Sequence, residues 1–167
     1  ETKTGALIVI GQRSDLRLIA EGGIALDAKV STPLLKNIFF KNAPLHDGAA
    51  LIEGDRIVAA KCILPVTQSA VPKSYGTRHR AAIGMSENSD AVVIVVSEET
   101  GAISVAENGV LKSGFTRESL HQLLTARLIT ASEETTIGRV AKKIPFLKRH
   151  HKDDGKEKAY AQESVGE

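Results

Sequence analysis

Short apolar runs, separated by glycine and polar turn residues, recur along most of the chain. Several of these runs are rich in β-branched residues and have the length of buried strands. The pattern predicts strands over residues 6–10, 16–20, 49–52, 56–64, 91–97 and 103–106. Glu53, Gly54 and Asp55 separate two of the runs and predict a hairpin turn between them.

Helical signals alternate with these runs. Ser31 followed by Pro33 is typical of a helix start, and the apolar residues after it share one face up to about residue 40. A short helix is predicted over about residues 78–85, and Thr116 predicts the cap of a last helix. The predicted strands are joined partly by hairpin turns and partly by longer connections, a combination that favours an α/β or α+β domain with a mixed sheet.

The composition narrows the class of protein. The chain has 167 residues, of which 42% are hydrophobic and 25% charged, and its formal net charge is +2. These values argue against a disordered chain or a coiled-coil rod. The near balance of charge and an aromatic content of 4% without tryptophan argue against nucleic-acid binding. The single cysteine, Cys62, excludes a disulfide framework and a multi-cysteine zinc site, and a cytosolic setting is the default expectation.

The two ends of the chain carry further expectations. No apolar run is long enough to span a bilayer, and the chain begins without a methionine, so we expect a fragment of a longer protein. Apolar periodicity weakens beyond about residue 131, which predicts a domain over residues 3–130 and a charged, flexible tail over residues 131–167. A basic run, 148–152, lies in this tail. Charges of both signs favour a solvated segment over a contact with a partner or nucleic acid.

Residues 45–49, with the sequence Leu-His-Asp-Gly-Ala, lie between a predicted helix and a predicted strand. His46 and Asp47 place an acceptor or a metal ligand at the edge of the sheet. The small residues that follow let a ligand approach the backbone closely. Taken alone, the segment is also typical of an Asp-Gly turn that merely connects two elements.

Residues 76–82, Gly-Thr-Arg-His-Arg-Ala-Ala, bring two arginines and a histidine to the start of a predicted helix. At that end of a helix the dipole does not stabilise cations, so placing them there costs free energy. An anionic ligand bound beside them would offset this cost. Free backbone N–H groups, a threonine hydroxyl and guanidinium groups together suit a phosphate. A solvated basic patch is the alternative, and no Walker-type P-loop is present.

Residues 97–100, Ser-Glu-Glu-Thr, follow the most apolar predicted strand. Open α/β sheets bind ligands at strand ends, and a carboxylate there suits a divalent metal that bridges phosphate oxygens. An acidic hairpin turn is the alternative. Cys62 lies in a strand among apolar neighbours, which indicates a packed thiol rather than a nucleophile.

In this order, the three segments resemble the catalytic domain of the diadenylate cyclase (DAC) family. The Asp-Gly-Ala motif of the family matches residues 47–49, and its Arg-His-Arg motif matches residues 78–80. The likeness covers about residues 3–130 and is strongest to the membrane-tethered class, whose transmembrane helices precede this domain. It implies an α/β fold: a single domain with a central mixed, mostly antiparallel sheet flanked by helices.

The resemblance also implies an activity, the condensation of two ATP into cyclic di-AMP with release of two pyrophosphates and with Mg²⁺ or Mn²⁺ as cofactor. The expected partners are ATP and a second copy of the domain, face to face, because the 3′-hydroxyl of one ATP attacks the α-phosphorus of the other. No nucleic acid is expected, and the parent protein is expected to hold this cytoplasmic domain at a bacterial membrane. The alternative is a non-catalytic regulatory module that binds ATP or a cyclic dinucleotide. Asp47 argues against that alternative, since a carboxylate adds nothing to a binder of polyphosphates.

Residue roles follow from the family motifs, position by position. The resemblance assigns catalysis to Asp47, Arg78, His79 and Arg80. It assigns ATP binding to Gly48, Ala49, Leu64, Thr77, Arg78, Ser97 and Glu98. It assigns metal binding to Asp47, His46 and Glu99.

Overall fold

The computed structural model of the chain describes residues 3–129, which contain a seven-stranded sheet. The strands are β1 (Ala6–Ile10), β2 (Ile24–Lys29), β3 (Ala49–Glu53), β4 (Arg56–Cys62), β5 (Val92–Val96), β6 (Ile103–Glu107) and β7 (Val110–Phe115). Their order in the sheet is β2-β4-β3-β1-β5-β6-β7. β1 and β3 are parallel, and the other neighbouring pairs are antiparallel. The prediction of a mixed, mostly antiparallel sheet is confirmed.

Helices connect and cover these strands. Within the described residues they are α1 (Arg17–Glu21), α2 (Thr32–Ile38), α3 (Thr77–Glu87) and α4, residues 117–129. The Leu34 N–H donates to the Ser31 hydroxyl at the start of α2, and the Ser119 N–H donates to Thr116 Oγ1 at the start of α4. Both predicted caps are therefore confirmed.

The predicted strand over residues 16–20 is wrong, because α1 occupies this segment. The Arg17 N–H donates to the Asp15 carboxylate, which the Arg17 guanidinium also contacts, and these bonds favour a turn. Leu16 and Ile19 both belong to the core, whereas Leu18 is 83% exposed. A spacing of three residues between inward positions suits a helix rather than a strand.

Two strands, β2 and β7, escape prediction from the sequence. They are the two edge strands of the sheet, and most of their residues are exposed, so that neither forms an apolar run. In β2, Asp27 has φ = +45° and the register with β4 shifts, which breaks the alternation of apolar and polar residues. Edge strands of this kind give little hydrophobic signal.

Helices pack on both faces of the sheet, and β1 shows how. Leu7 and Val9 belong to a core cluster with residues of α3, whereas Ala6 packs with α2 and Ile10 with α4. Alternate side chains of a strand point to opposite faces. α1 and α3 therefore cover one face, and α2 and α4 cover the other.

The ends of the chain complete the description. No helix within residues 3–129 is long and apolar enough to cross a membrane. The predicted domain boundary at about residue 130 and the predicted tail lie outside the described residues.

Candidate active site

A cleft opens at the edge of the sheet where β1 and β3 begin, β4 ends and α3 starts. Its volume is about 790 Å³, within the usual range of small-molecule sites. Its polar side is lined by His46, Asp47, Gly48, Lys61, Thr77, Arg78 and Glu98. An apolar wall, formed by Ile24, Ile63, Leu64 and Val66, lies among the other lining residues. Segments 45–49, 76–82 and 97–100 thus each contribute to one cleft.

The loop before β3 carries Asp47 to the cleft. Gly48 has φ = +136°, a conformation that side chains rarely allow, and a Cβ on it would lie 2.7 Å from Lys61 Cα. The glycine therefore lets this loop lie directly against the end of β4. Lys61 itself has φ = +56°, and the β3–β4 register shifts between Ala49 and Leu51. Irregularities of this kind redirect side chains beside binding sites.

His46 is held in one tautomer. Its Nδ1 lies 2.6 Å from the Ala43 carbonyl oxygen. Because a carbonyl only accepts, Nδ1 carries the proton, and Nε2 is the acceptor of the neutral ring. A histidine held through one N–H by a backbone carbonyl is the usual arrangement of a metal ligand.

Arg78 lies in the first turn of α3, where no side chain caps the helix. Its Nη1 donates to Glu98 Oε2 at 3.0 Å, and its Nη2 donates to the His46 carbonyl oxygen at 3.4 Å. A Cβ on Gly5 would lie 2.8 Å from Nη1, so a larger residue 5 would displace the guanidinium from this position. The cleft thus presents a half-buried cation beside uncapped backbone N–H groups, which together suit a phosphate.

The apolar wall lines the same cleft as this polar corner. Ile63 is 81% exposed, Ile24 46% and Val66 41%, whereas Leu64 is buried. Large apolar side chains exposed around a polar cleft mark a binding surface. Cys62 also lines the cleft but is 1% exposed, and burial raises the pKa of its thiol. The prediction of a packed cysteine is therefore confirmed.

Some predicted site residues do not line the cleft: Ala49, His79, Arg80, Ser97 and Glu99. Ala49 is 1% exposed and packs in the core. His79 stacks on Tyr75 with ring centroids 5.4 Å apart. Burial lowers the pKa of His79, and the nearby Glu99 carboxylate opposes that shift. The roles assigned to these residues stay predictions.

Within residues 3–129, no three His, Cys, Asp or Glu side chains form a group that could by itself hold a metal ion. The assignment of metal binding to His46, Asp47 and Glu99 stays a prediction. Glu98, rather than Glu99, is the second carboxylate of the cleft. Mg²⁺ usually binds one or two carboxylates together with substrate phosphates. Asp47 with His46 or Glu98 fits a site of that kind.

Sequence reasoning missed several residues of the site, among them Gly5, Ile24, Lys61 and Val66. A glycine directly before a strand is a signal for close approach, and Gly5 has that position. Ile24 lies in an edge strand without an apolar run, and a positive φ in a strand lysine depends on tertiary structure. No local signal marks either of those two.

Comparison with known proteins agrees with this geometry. Residues 1–111 match the DAC family, described as "DisA bacterial checkpoint controller nucleotide-binding". The chain belongs to this family. The resemblance inferred from residues 47–49 and 78–80 is thereby confirmed.

Named relatives extend the comparison. The cyclic di-AMP synthase CdaA of Bacillus subtilis is 46% identical over 138 residues, which cover 82% of this chain and 50% of that protein. The diadenylate cyclase CdaS of Bacillus thuringiensis is 52% identical over 110 residues, 65% of this chain and 55% of that protein. This DAC chain therefore spans about half the length of the curated relatives it matches.

Solved structures share the fold. A crystal structure of a double mutant of DacA from Staphylococcus aureus matches with a TM-score of 0.73 and 47% identity, covering 74% of this chain and 83% of that one. A hypothetical membrane-spanning protein from Bacillus cereus matches with a TM-score of 0.66 and 50% identity, covering 68% of this chain and 56% of that one. The seven-stranded sheet is thus the DAC fold.

Proposed function

We propose that this chain is a diadenylate cyclase domain, which joins two molecules of ATP into cyclic di-AMP and releases two molecules of pyrophosphate. The observation that carries the proposal is the convergence of Asp47, Arg78 and the apolar wall on one cleft. The wall suits a purine base, and Arg78 with the start of α3 suits phosphates. The names of the relatives CdaA and CdaS support the same activity.

Each polar residue of the cleft has a part in this reaction. Asp47 orients the ribose 3′-hydroxyl of one ATP and accepts its proton as the oxygen attacks the α-phosphorus of the other ATP. The bond between that α-phosphorus and the oxygen that links it to the β-phosphorus breaks, and pyrophosphate leaves with that oxygen. Arg78, held by Glu98, neutralises charge on the phosphates, and positioning with charge neutralisation is most of what phosphoryl transfer requires. Gly48 and Thr77 line the bound nucleotide.

The reaction needs two nucleotides, whereas the cleft presents one Asp47 and one Arg78. We therefore propose a homodimer in which two clefts face each other, so that each bound ATP supplies a hydroxyl to the other. A two-fold interface places the same residues on both sides. His79 and Arg80 keep the catalytic roles, and Ala49 and Ser97 the ATP-binding roles, that the resemblance assigns to them.

The residues of the cleft fit a divalent ion bound together with ATP. Asp47, and His46 through Nε2, are its proposed ligands, and Glu98 is a second carboxylate within the same cleft. Mg²⁺ or Mn²⁺ bound there would supply charge neutralisation at the phosphates. The match to a membrane-spanning protein supports a further proposal, that the full-length protein is anchored in a bacterial membrane with this domain on the cytoplasmic side.

The test is to incubate the chain with ATP and Mn²⁺ and to identify the product by mass. Cyclic di-AMP is expected, with two pyrophosphates per product and a rate that rises more steeply than linearly with protein concentration below the dimer constant. Asp47→Asn should lower the rate by about 10²- to 10⁴-fold, as expected for loss of a general base. The same variant should still bind an unreactive ATP analogue.

Two results would contradict the proposal. If ATP binds but stays unchanged, the chain is a regulatory module without turnover. If Asp47→Asn turns over at the wild-type rate, Asp47 is not the base.

A further inference from the structure

The loop that follows β4 crosses α3 at very short range. A Cβ on Gly84 would lie 2.4 Å from the Pro65 carbonyl oxygen and 2.6 Å from the Thr67 backbone nitrogen. Only glycine allows this approach, because any side chain would meet backbone that has no free direction to move. The Thr67 N–H also donates to the Arg80 carbonyl oxygen at 3.1 Å. The loop backbone therefore lies directly on the helix.

Side chains tie the same loop to the end of α3. Thr67 is 1% exposed, and its hydroxyl donates to Glu87 Oε1 at 2.7 Å. The Ser69 hydroxyl donates to the same carboxylate oxygen at 3.2 Å, and the Ser69 N–H donates to Thr67 Oγ1 at 3.1 Å. Hydrogen bonds to a charged carboxylate are stronger than neutral ones. We call Thr67, Ser69 and Glu87 the loop clamp.

The clamp joins the two sides of the cleft. Val66, directly before Thr67, and Leu64, two residues earlier, belong to the apolar wall, and Arg78 lies in the first turn of α3. Glu87 is nine residues after Arg78, about 14 Å along the helix. The clamp therefore sets where the wall stands relative to the arginine, although it lies at the opposite end of α3.

We propose that Thr67 and Glu87 are positioning residues that fix the spacing between the apolar wall and Arg78, and thereby the selectivity of the cleft for a nucleotide over its triphosphate alone. The proposal rests on the proposed function for the identity of the ligand, ATP. A nucleoside triphosphate has to reach both sides at once, whereas inorganic tripolyphosphate needs only the cationic side. Small misplacements between binding groups cost affinity for the ligand that spans them.

Two ligands, an ATP analogue and tripolyphosphate, and a pair of Thr67 variants separate a positioning role from general destabilisation. Thr67→Val keeps the size of the side chain and removes the hydroxyl, whereas Thr67→Ser keeps the hydroxyl. Calorimetric titration would measure the dissociation constants of α,β-methylene ATP and of tripolyphosphate, with the melting temperature recorded for each variant. Thr67→Val should weaken binding of the ATP analogue by about tenfold, less than the roughly 100-fold that a displacement of about 1 Å costs an oriented site. Tripolyphosphate binding should change less than about twofold, and Thr67→Ser should restore the wild-type ratio.

A second pair of variants changes Glu87, which is exposed. Glu87→Ala should reproduce the effect of Thr67→Val, and Glu87→Gln should weaken binding of the ATP analogue less, because its amide oxygen still accepts both hydroxyls but carries no charge. Unchanged binding of the ATP analogue in Thr67→Val and Glu87→Ala would overturn the proposal. Equal weakening of both probes would also overturn it, since that result indicates a loosened helix rather than a displaced wall. Because the readout is binding, absence of cyclic di-AMP from the wild type would count against the proposed function and not against the clamp.

Discussion

Two antiparallel strand pairs of the same sheet differ sharply in regularity. β5 and β6 pair without interruption from Val93 with Ala106 to Val96 with Ile103. β3 and β4 pair with two register shifts, and Gly48 and Lys61 beside them have positive φ. The regular pair is a packing unit, and the cleft lies at the end of the irregular pair. Of these two pairs, the one with the irregular backbone is the one that borders the site.

The largest expected difference is in the free energy of unfolding, between substitutions of two glycines, one beside each strand pair. Gly48→Ala places a Cβ 2.7 Å from the Lys61 backbone at φ = +136°, whereas Gly101→Ala, at φ = +76° between β5 and β6, meets Lys3 Cγ at 3.7 Å. We expect Gly48→Ala to lower the free energy of unfolding by about 4 kcal/mol from strain and overpacking together. Gly101→Ala should lower it by only about 1 kcal/mol.

Denaturant titration measures both values, and an ATP analogue reports on the cleft. The folded fraction of Gly48→Ala should lose most of its affinity for the analogue, and Gly101→Ala should keep it. Equal losses of stability in the two variants would show that the close contact of Gly48 with β4 has no energetic consequence.

A smaller effect is expected from two arginines in matched ion pairs. Arg78 pairs with Glu98 in the cleft at 3.0 Å, and Arg127 of α4 pairs with Glu107 of β6 at 2.6 Å. Arg78→Met should weaken binding of the ATP analogue by about 2 kcal/mol, or roughly thirtyfold, the loss of a charge-assisted hydrogen bond. Arg127→Met should leave binding unchanged and cost at most about 1 kcal/mol of stability, as exposed ion pairs do. Similar losses of binding in both variants would place the phosphates elsewhere.

The smallest effect concerns pH. Burial lowers the pKa of His79 below its ordinary value, which is about 6.5. The unfolded chain therefore binds more protons between the two pKa values, and stability rises with pH across that window. Wild type should lose stability as the pH falls below about 6.5, and His79→Gln should lose less.

The exposed His121 of α4 is the control for this comparison, and His121→Gln should give the wild-type curve of melting temperature against pH. A His79→Gln curve with the wild-type slope would mean that burial of the imidazole does not affect its protonation in the folded chain.

What the sequence predicts correctly has a common physical basis. Buried strands such as β1 and β5 form continuous apolar runs, and the caps Ser31 and Thr116 act within a few residues, so that local chemistry decides both. The edge strand β2 and the helix α1 carry weaker signals, because burial on one side only leaves a pattern that fits more than one element.

The residues of the site also divide into those that local motifs predict and those that only the fold determines. The motifs at residues 47–49 and 78–80 identify the family, and Asp47 and Arg78 do meet in the cleft. A backbone irregularity brings Lys61 to the cleft, and the position of a strand end brings Glu98 there rather than Glu99. Both depend on the fold and not on the neighbouring residues. The clamp between Thr67 and Glu87 joins residues twenty positions apart, and no local pattern indicates it.

The most direct test of the account is a crystal structure of the chain with α,β-methylene ATP and Mg²⁺. The expected result places the triphosphate within hydrogen-bonding distance of Arg78, the ribose 3′-hydroxyl toward Asp47 and the base against Ile63 and Leu64. A nucleotide bound away from this cleft, or bound with its base at Arg78 and its phosphates on the apolar wall, would contradict the account.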